Sequence, residues 1–74
     1  MITYERLWKT MEKRGITQYA LYERYNIPRS LLHRLRNNMN IETNTLDRLC
    51  TILKCNVEDI CEHIPDTDES EHIN

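Results

Sequence analysis

The chain has 74 residues, of which 39% are hydrophobic and none is phenylalanine, and its formal net charge is −2. This length allows one small domain with a modest core of Leu, Ile, Trp and Tyr. No apolar run approaches the roughly 20 residues that a membrane-spanning helix needs, and no signal-peptide core follows Met1, so we expect a soluble, cytoplasmic protein.

The first predicted helix runs from about Thr3 to Arg14. Its apolar residues recur at i, i+3, i+4 and i+7, as one buried helix face requires: Tyr4, Leu7, Trp8 and Met11. Thr3 is the expected N-cap, because its hydroxyl can accept a hydrogen bond from a backbone N–H of the first turn. The only glycine of the chain, Gly15, follows Arg14 and is the expected end of the helix.

Two shorter helices follow, joined by a tight turn. The second spans about residues 17–24, with Thr17 as its cap. Asn26 stands where left-handed backbone is expected, which asparagine tolerates better than most residues. Pro28 disfavours helical backbone at the residue before it and suits the first position of a third helix over about residues 28–36. Three asparagines close that helix and open a linker: Asn37, Asn38 and Asn40.

The second half of the chain predicts two more helices and a tail. A fourth helix over about residues 44–53 has one apolar stripe and is capped by either Glu42 or Thr43. The segment Asn56–Asp59 resembles a capping box and predicts a fifth short helix, ending at Pro65. Residues 66–74 are acidic and lack an apolar stripe, which predicts a disordered tail after a domain of residues 1–65. No strand-like alternation and no internal repeat is present, so the predicted class is all-α.

Three cysteines lie in the second half: Cys50, Cys55 and Cys61. An odd number cannot pair completely within one chain, and the spacing lacks the close C-x2-C of a zinc site. We interpret Cys50 and Cys55 as small buried hydrophobic residues in a reducing compartment, and we expect neither a metal site nor a cofactor.

Charge is divided unevenly along the chain. Residues 1–40 carry eight basic and three acidic side chains, a net charge of +5, whereas residues 41–74 carry two basic and nine acidic side chains, a net charge of −7. No acidic residue lies between Arg24 and Ile41. Such a division favours one face that meets a polyanion and another that is kept away from it.

The third helix carries the basic face. With about 100° per residue, Leu35 and Pro28 fall on the same side as Leu32, which is the side expected to be buried. The opposite side collects side chains that can hydrogen-bond to bases or phosphates: Ser30, His33, Arg34 and Asn37, flanked by Arg29 and Arg36. A merely solvated face normally includes acidic partners at i,i+4, and none is present here. The pattern therefore favours insertion of this helix into the major groove of DNA.

Residues 17–36 resemble the helix-turn-helix of the Cro/phage-repressor class, also called the XRE family. All five apolar positions of that motif are matched, by Leu21, Tyr25, Ile27, Leu32 and Leu35. The stretches ITYERLWKTMEKRGIT and TLDRLCTILKCNVEDI look like a small bacterial and phage regulator subfamily. The resemblance implies a five-helix, lambda-repressor-like DNA-binding domain in which helices 2 and 3 form the helix-turn-helix.

The resemblance also implies which residues contact DNA. Its base-reading positions fall on Arg29, Ser30 and Arg34, with His33 close by. The expected contacts to the DNA backbone are Gln18, Arg36, Asn37 and Asn38. The chain departs from the family pattern at two positions: Asn26 replaces a glycine, and Tyr22 replaces a small alanine where the two helices cross. The Tyr22 ring must therefore swing outward, or the helices must separate slightly.

These observations predict a sequence-specific transcriptional regulator of double-stranded DNA, a repressor, and the family resemblance adds a homodimer. No membrane or small-molecule partner is expected. The alternative is a protein-interaction module on the same fold, either an antirepressor or the DNA-free partner of a regulatory pair. Such a module would show no DNA affinity above background at low salt. An enzyme is not expected, because there is no glycine-rich phosphate loop, and Cys61 and His63 would lie about 200° apart on a helix.

Overall fold

The computed structural model describes residues 1–65. The elements follow in the order β1 (Ile2–Thr3), α1 (Glu5–Arg14), α2 (Gln18–Tyr25), α3 (Arg29–Arg36), α4 (Thr43–Leu53), a 3-10 turn (Val57–Asp59) and β2 (Glu62–His63). The all-α class is confirmed, because the four helices supply most of the buried side chains. The count of five helices is wrong. The tail predicted for residues 66–74 lies outside the described residues.

The fifth predicted helix is a single 3-10 turn. Its capping signal does form, since the Asn56 backbone N–H donates to the Asp59 carboxylate over 3.0 Å. The chain then becomes extended, and β2 pairs antiparallel with β1, with Ile2 opposite His63. Because the backbone after Ile60 bonds to the start of the chain, no further helical turn follows. This two-stranded pairing corrects the expectation that the chain contains no strand.

The core lies where the four helices and the 3-10 turn meet. Its buried residues are Tyr4, Leu7, Met11, Leu21, Ile27, Leu32, Leu35, Leu49, Leu53 and Ile60. They include every apolar position of the helix-turn-helix pattern except Tyr25, which is half-buried against them. Full burial of a leucine or isoleucine side chain contributes about 1.5–3 kcal/mol, so this small set supplies most of the hydrophobic stabilisation.

The start of α1 differs from its prediction. Thr3 is paired in β1 instead of capping the helix, and Tyr4 takes the N-cap position without a side-chain cap. The first turn is completed from elsewhere in the chain, because the Leu7 N–H donates to the Ile60 carbonyl over 3.1 Å. Thr3 is consequently buried, and its hydroxyl has no hydrogen-bond partner among the described residues.

The other helix ends agree more closely with the sequence. The Thr17 hydroxyl caps α2 by accepting from the Ala20 N–H over 3.0 Å, as predicted. Pro28 is the exposed N-cap of α3, one residue before the helix begins, and not part of its buried side. Of the two candidates for the start of α4, Glu42 is the N-cap.

Each α-helix ends at or beside a residue with left-handed backbone. These residues are Gly15 (φ 69°), Asn26 (φ 58°), Asn38 (φ 54°) and Lys54 (φ 52°). Three of the four are not glycine, although a side chain disfavours this conformation by about 1–2 kcal/mol. None of the helices in the described part of the chain is long and apolar enough to cross a membrane.

Candidate nucleic-acid interface

The turn between α2 and α3 fixes how the two helices cross. Asn26 ends α2 in left-handed backbone, and the N–H groups of both Asn26 and Ile27 donate to the Leu21 carbonyl. Ile27 is fully buried, which anchors the turn in the core. With Leu32 and Leu35 also buried, α3 has only one side left for solvent.

The solvent side of α3 holds the polar residues that its helical periodicity assigns to it. Arg29, Ser30, His33, Arg34, Arg36 and the C-cap Asn37 are all exposed. Around the helix axis they divide into an edge near α2, a central strip and an edge near the start of α4. The three groups differ in what holds their side chains.

At the edge near α2, two arginines contact residues of that helix. The guanidinium carbon of Arg29 lies 4.5 Å from the centre of the Tyr22 ring, in cation–π geometry. About two helical turns further along α3, Arg36 Nη1 donates to Gln18 Oε1 over 2.6 Å. Tyr22 is 37% exposed, so its ring has swung outward, which is one of the two outcomes that its size required.

At the opposite edge, Arg34 turns towards the loop that follows α3. Its Nη1 donates to the Asn40 carbonyl over 3.1 Å. Ser30 and Arg34 border an open cleft of about 580 Å³, whose other wall is residues 40–42 and Thr45. The loop that follows α3 thus holds the side chain of Arg34 at the mouth of this cleft.

The central strip consists of His33 and Asn37. The Asn37 Nδ2 donates to the His33 carbonyl over 2.8 Å and lies 3.4 Å from His33 Nδ1. The His33 carbonyl thus accepts from both the backbone N–H and the side-chain NH2 group of Asn37.

Asn38 is held by the start of the chain. Its Oδ1 accepts from the Tyr4 N–H over 3.1 Å, and the Tyr4 hydroxyl donates to the Met39 carbonyl over 2.8 Å. The amide nitrogen of Asn38 is the part of the side chain left for an outside acceptor. The corner after α3 is thus fixed to α1 by two hydrogen bonds.

The family model of the Cro/C1-type HTH DNA-binding domain matches residues 6–66, which is most of the chain. The chain belongs to this family. It therefore carries a DNA-binding domain of the helix-turn-helix type, in which α2 and α3 are the two helices of the motif. The resemblance recognised from the apolar spacing of residues 17–36 is confirmed.

A solved structure supports the same assignment for this Cro/C1-type domain. The crystal structure of the transcriptional regulator VanUg is similar to it with a TM-score of 0.79 and 29% sequence identity, over 88% of this chain and 87% of that chain. No curated protein matches the chain.

The sequence showed which residues of this Cro/C1-type domain face outward but not which of them touch each other. The contacts of Arg29 with Tyr22, of Arg36 with Gln18 and of Arg34 with Asn40 were not predicted. The sequence does contain a signal for the first two contacts. Gln18 and Tyr22 are spaced i,i+4 on α2, and Arg29 and Arg36 are spaced i,i+7 on α3. Each spacing places its pair on one helix face.

The cysteines of the domain are half-buried and unpaired, and they pack against the core. Burial raises the pKa of the thiols of Cys50, Cys55 and Cys61 above the ordinary value of 9.0. At neutral pH they are therefore protonated, which is the unreactive form. Within residues 1–65, no three His, Cys, Asp or Glu side chains are grouped closely enough to hold a metal ion.

Proposed function

We propose that this protein is a transcriptional regulator that binds a specific double-stranded DNA site by inserting α3 into the major groove. The observation that carries the proposal is the exposed side of α3, which is basic and polar along its whole length, while Leu32 and Leu35 are buried on the opposite side. A major groove about 12 Å wide admits one α-helix, and a helix so placed needs donors on its outer side.

The proposed base contacts come from Arg29, Ser30, His33 and Arg34. Arginine pairs with guanine through two parallel N–H bonds, and serine either donates or accepts. The contact of Arg34 with Asn40 occupies one of its two terminal nitrogens, so the remaining N–H groups are available for a base edge. We place the DNA-binding domain in residues 1–65 and treat residues 66–74 as an acidic tail outside it.

The proposed contacts to the DNA backbone come from Gln18, Arg36, Asn37 and Asn38. The Arg36–Gln18 hydrogen bond uses the amide oxygen of Gln18, so its NH2 group is the part presented to a phosphate. Asn38 likewise keeps its NH2 group while its oxygen bonds to Tyr4. One N–H of the Asn37 NH2 group donates to the His33 carbonyl, and we propose that its second N–H binds a phosphate.

We also propose a homodimer that acts as a repressor by covering a palindromic site. Met1, Ile2 and Met39 are exposed, and they line one mainly apolar cavity of about 430 Å³ beside the loop that follows α3. A second copy packed here would remove these side chains from water. Helix-turn-helix dimers contact two half-sites about 34–36 Å apart, one helical turn of DNA, and we expect the same spacing here.

The test is selection of bound sequences from a random pool of double-stranded DNA. The wild-type protein is expected to enrich a palindrome, and Arg34→Ala is expected to lose the preference at one base pair of each half-site, a roughly 5- to 150-fold effect. Lys9→Ala is the matched control, since it removes one exposed positive charge of α1 and should leave the selected sequence unchanged.

Two outcomes would contradict the proposal. If the wild-type protein enriches no sequence and shows no salt-dependent affinity for DNA, the interaction-module alternative is correct. If DNA is enriched but Arg29→Ala and Arg34→Ala both select the same sequence as the wild type, α3 is not the reading helix. An asymmetric site together with a monomer in sedimentation would contradict the homodimer alone.

A further inference from the structure

Tyr22 occupies an unusual place for a large aromatic residue. It lies on α2 where that helix crosses α3, and the residue is 37% exposed beside the solvent side of α3. The ring lies under the guanidinium group of Arg29, 4.5 Å from ring centre to guanidinium carbon.

The three arginines of α3 are held in two different ways. Arg34 and Arg36 are held through N–H groups at the edge of the guanidinium plane, by Asn40 and Gln18. Arg29 is held through the face of that plane, by the π-electrons of Tyr22. Within residues 1–65, no hydrogen bond is made to the guanidinium edge of Arg29.

This difference matters for recognition of a base. Bidentate pairing with guanine uses two parallel N–H groups at the edge of the guanidinium plane. A contact on the face restricts the long side chain without consuming those donors, and it lowers the entropy lost when the pair with guanine forms. Arg29 is also the first residue of α3, and recognition helices contact base edges with their N-terminal residues.

We propose that Tyr22 is a positioning residue for Arg29 and that the stacked pair makes the DNA site require guanine at one base pair of each half-site, opposite the N-terminal end of α3. The inference rests on the proposed function and deepens it. It assigns to Tyr22 a role in sequence preference, through Arg29, with no contact of its own to the base.

The test measures affinity for two duplexes that differ only at that base pair, one with guanine and one with adenine. In Tyr22→Ala the ratio of the affinity for the guanine duplex to that for the adenine duplex should fall roughly 2- to 5-fold, the range for an exposed cation–π contact. Tyr22→Phe keeps the ring and should keep the ratio. Tyr19→Ala is the matched control, because it removes an exposed tyrosine of the same helix that does not stack on Arg29.

A double substitution shows whether Tyr22 acts through Arg29. Arg29→Ala should abolish the preference for guanine, and adding Tyr22→Ala to it should change the ratio no further. In the DNA-free protein, the NMR signals of the Arg29 δ-protons should be shifted upfield by the ring in the wild type and in Tyr22→Phe. In Tyr22→Ala they should return to ordinary positions.

The outcomes separate this inference from the function on which it rests. A wild-type protein that selects no DNA overturns both. A selected site with an unchanged ratio in Tyr22→Ala overturns the role of Tyr22 and leaves the proposed function standing. A fall in the ratio that persists in the Arg29→Ala background also overturns it, since Tyr22 would then act without Arg29.

Discussion

At the scale of single residues, the Thr3 hydroxyl is the side-chain group least well accommodated in the described structure. It is buried in β1 and has no hydrogen-bond partner within residues 1–65, a situation that costs about 1–3 kcal/mol. Valine has nearly the same shape without the hydroxyl. Thr3→Val is therefore expected to raise the free energy of unfolding by about 1 kcal/mol, measured by urea denaturation.

Thr3→Ser is the control for this prediction. Serine keeps the hydroxyl and removes the methyl group, so it should lower the stability where valine raises it. An unchanged or lower stability of Thr3→Val would mean that the hydroxyl has a partner in solution, such as a bound water molecule.

The residues of α3 also show how far a sequence determines a site. Helical periodicity identified the solvent side of α3, because Leu32 and Leu35 leave no other orientation for the helix. It did not identify the partners of Arg34 and Arg36, because Asn40 and Gln18 belong to other elements. The periodicity of one helix contains no information about where a neighbouring element crosses it.

At the scale of elements, the left-handed helix ends are places where the chain can gain stability. Lys54 ends α4 with φ 52°, while its N–H donates to the Cys50 carbonyl and its carbonyl accepts from Arg14. A residue with a Cβ pays about 1–2 kcal/mol of folding free energy in this conformation. Glycine avoids this cost, but its more flexible unfolded state offsets about 0.5–1 kcal/mol of the gain. Lys54→Gly is thus expected to stabilise the protein by about 0.5–1 kcal/mol.

Thermal unfolding measures this gain, since about 1 kcal/mol shifts the midpoint of a domain this size by roughly 4–8 °C. Lys54→Ala serves as the comparison, because it removes the long side chain but keeps the Cβ that disfavours left-handed backbone. If the two variants melt at the same temperature, the backbone conformation of Lys54 contributes no strain.

The elements themselves differed in how well the sequence predicted them. The four α-helices begin and end within two residues of their predicted bounds, because apolar stripes mark α1 and α4 and capping and turn residues bound α2 and α3. The fifth helix was wrong because a capping box is a local signal. It cannot show that the chain after Ile60 pairs with residues at the opposite end of the sequence.

At the scale of the whole molecule, burial of ionisable groups makes stability depend on pH. Burial raises the pKa of Cys50, Cys55, Cys61 and Tyr4 in the folded state, so folding favours their neutral, protonated forms. Their contribution is fully present below the ordinary thiol pKa of 9.0 and is lost as the pH rises through the higher folded values. The thermal midpoint is expected to fall above about pH 9, through the thiols first and through Tyr4 at higher pH.

Replacing the three cysteines with alanine separates the thiols from other groups that titrate in alkali. Between pH 8.5 and 9.5, the midpoint temperature of thermal unfolding should fall less in the triple variant than in the wild type. A wild-type midpoint that is constant over this interval, or an equal fall in both proteins, would contradict the assignment.

The pairing of β1 with β2 also bears on how the protein forms during its synthesis. Met1 and Ile64 exchange two backbone hydrogen bonds, of 2.6 and 2.8 Å, and the first turn of α1 depends on the Ile60 carbonyl. The ribosome makes residues 60–64 last among these. The contacts between α2 and α3, of Arg29 with Tyr22 and of Arg36 with Gln18, join residues much closer in the chain. We therefore expect α2 and α3 to assemble early on the nascent chain, whereas β1 can pair only after nearly the whole domain has emerged.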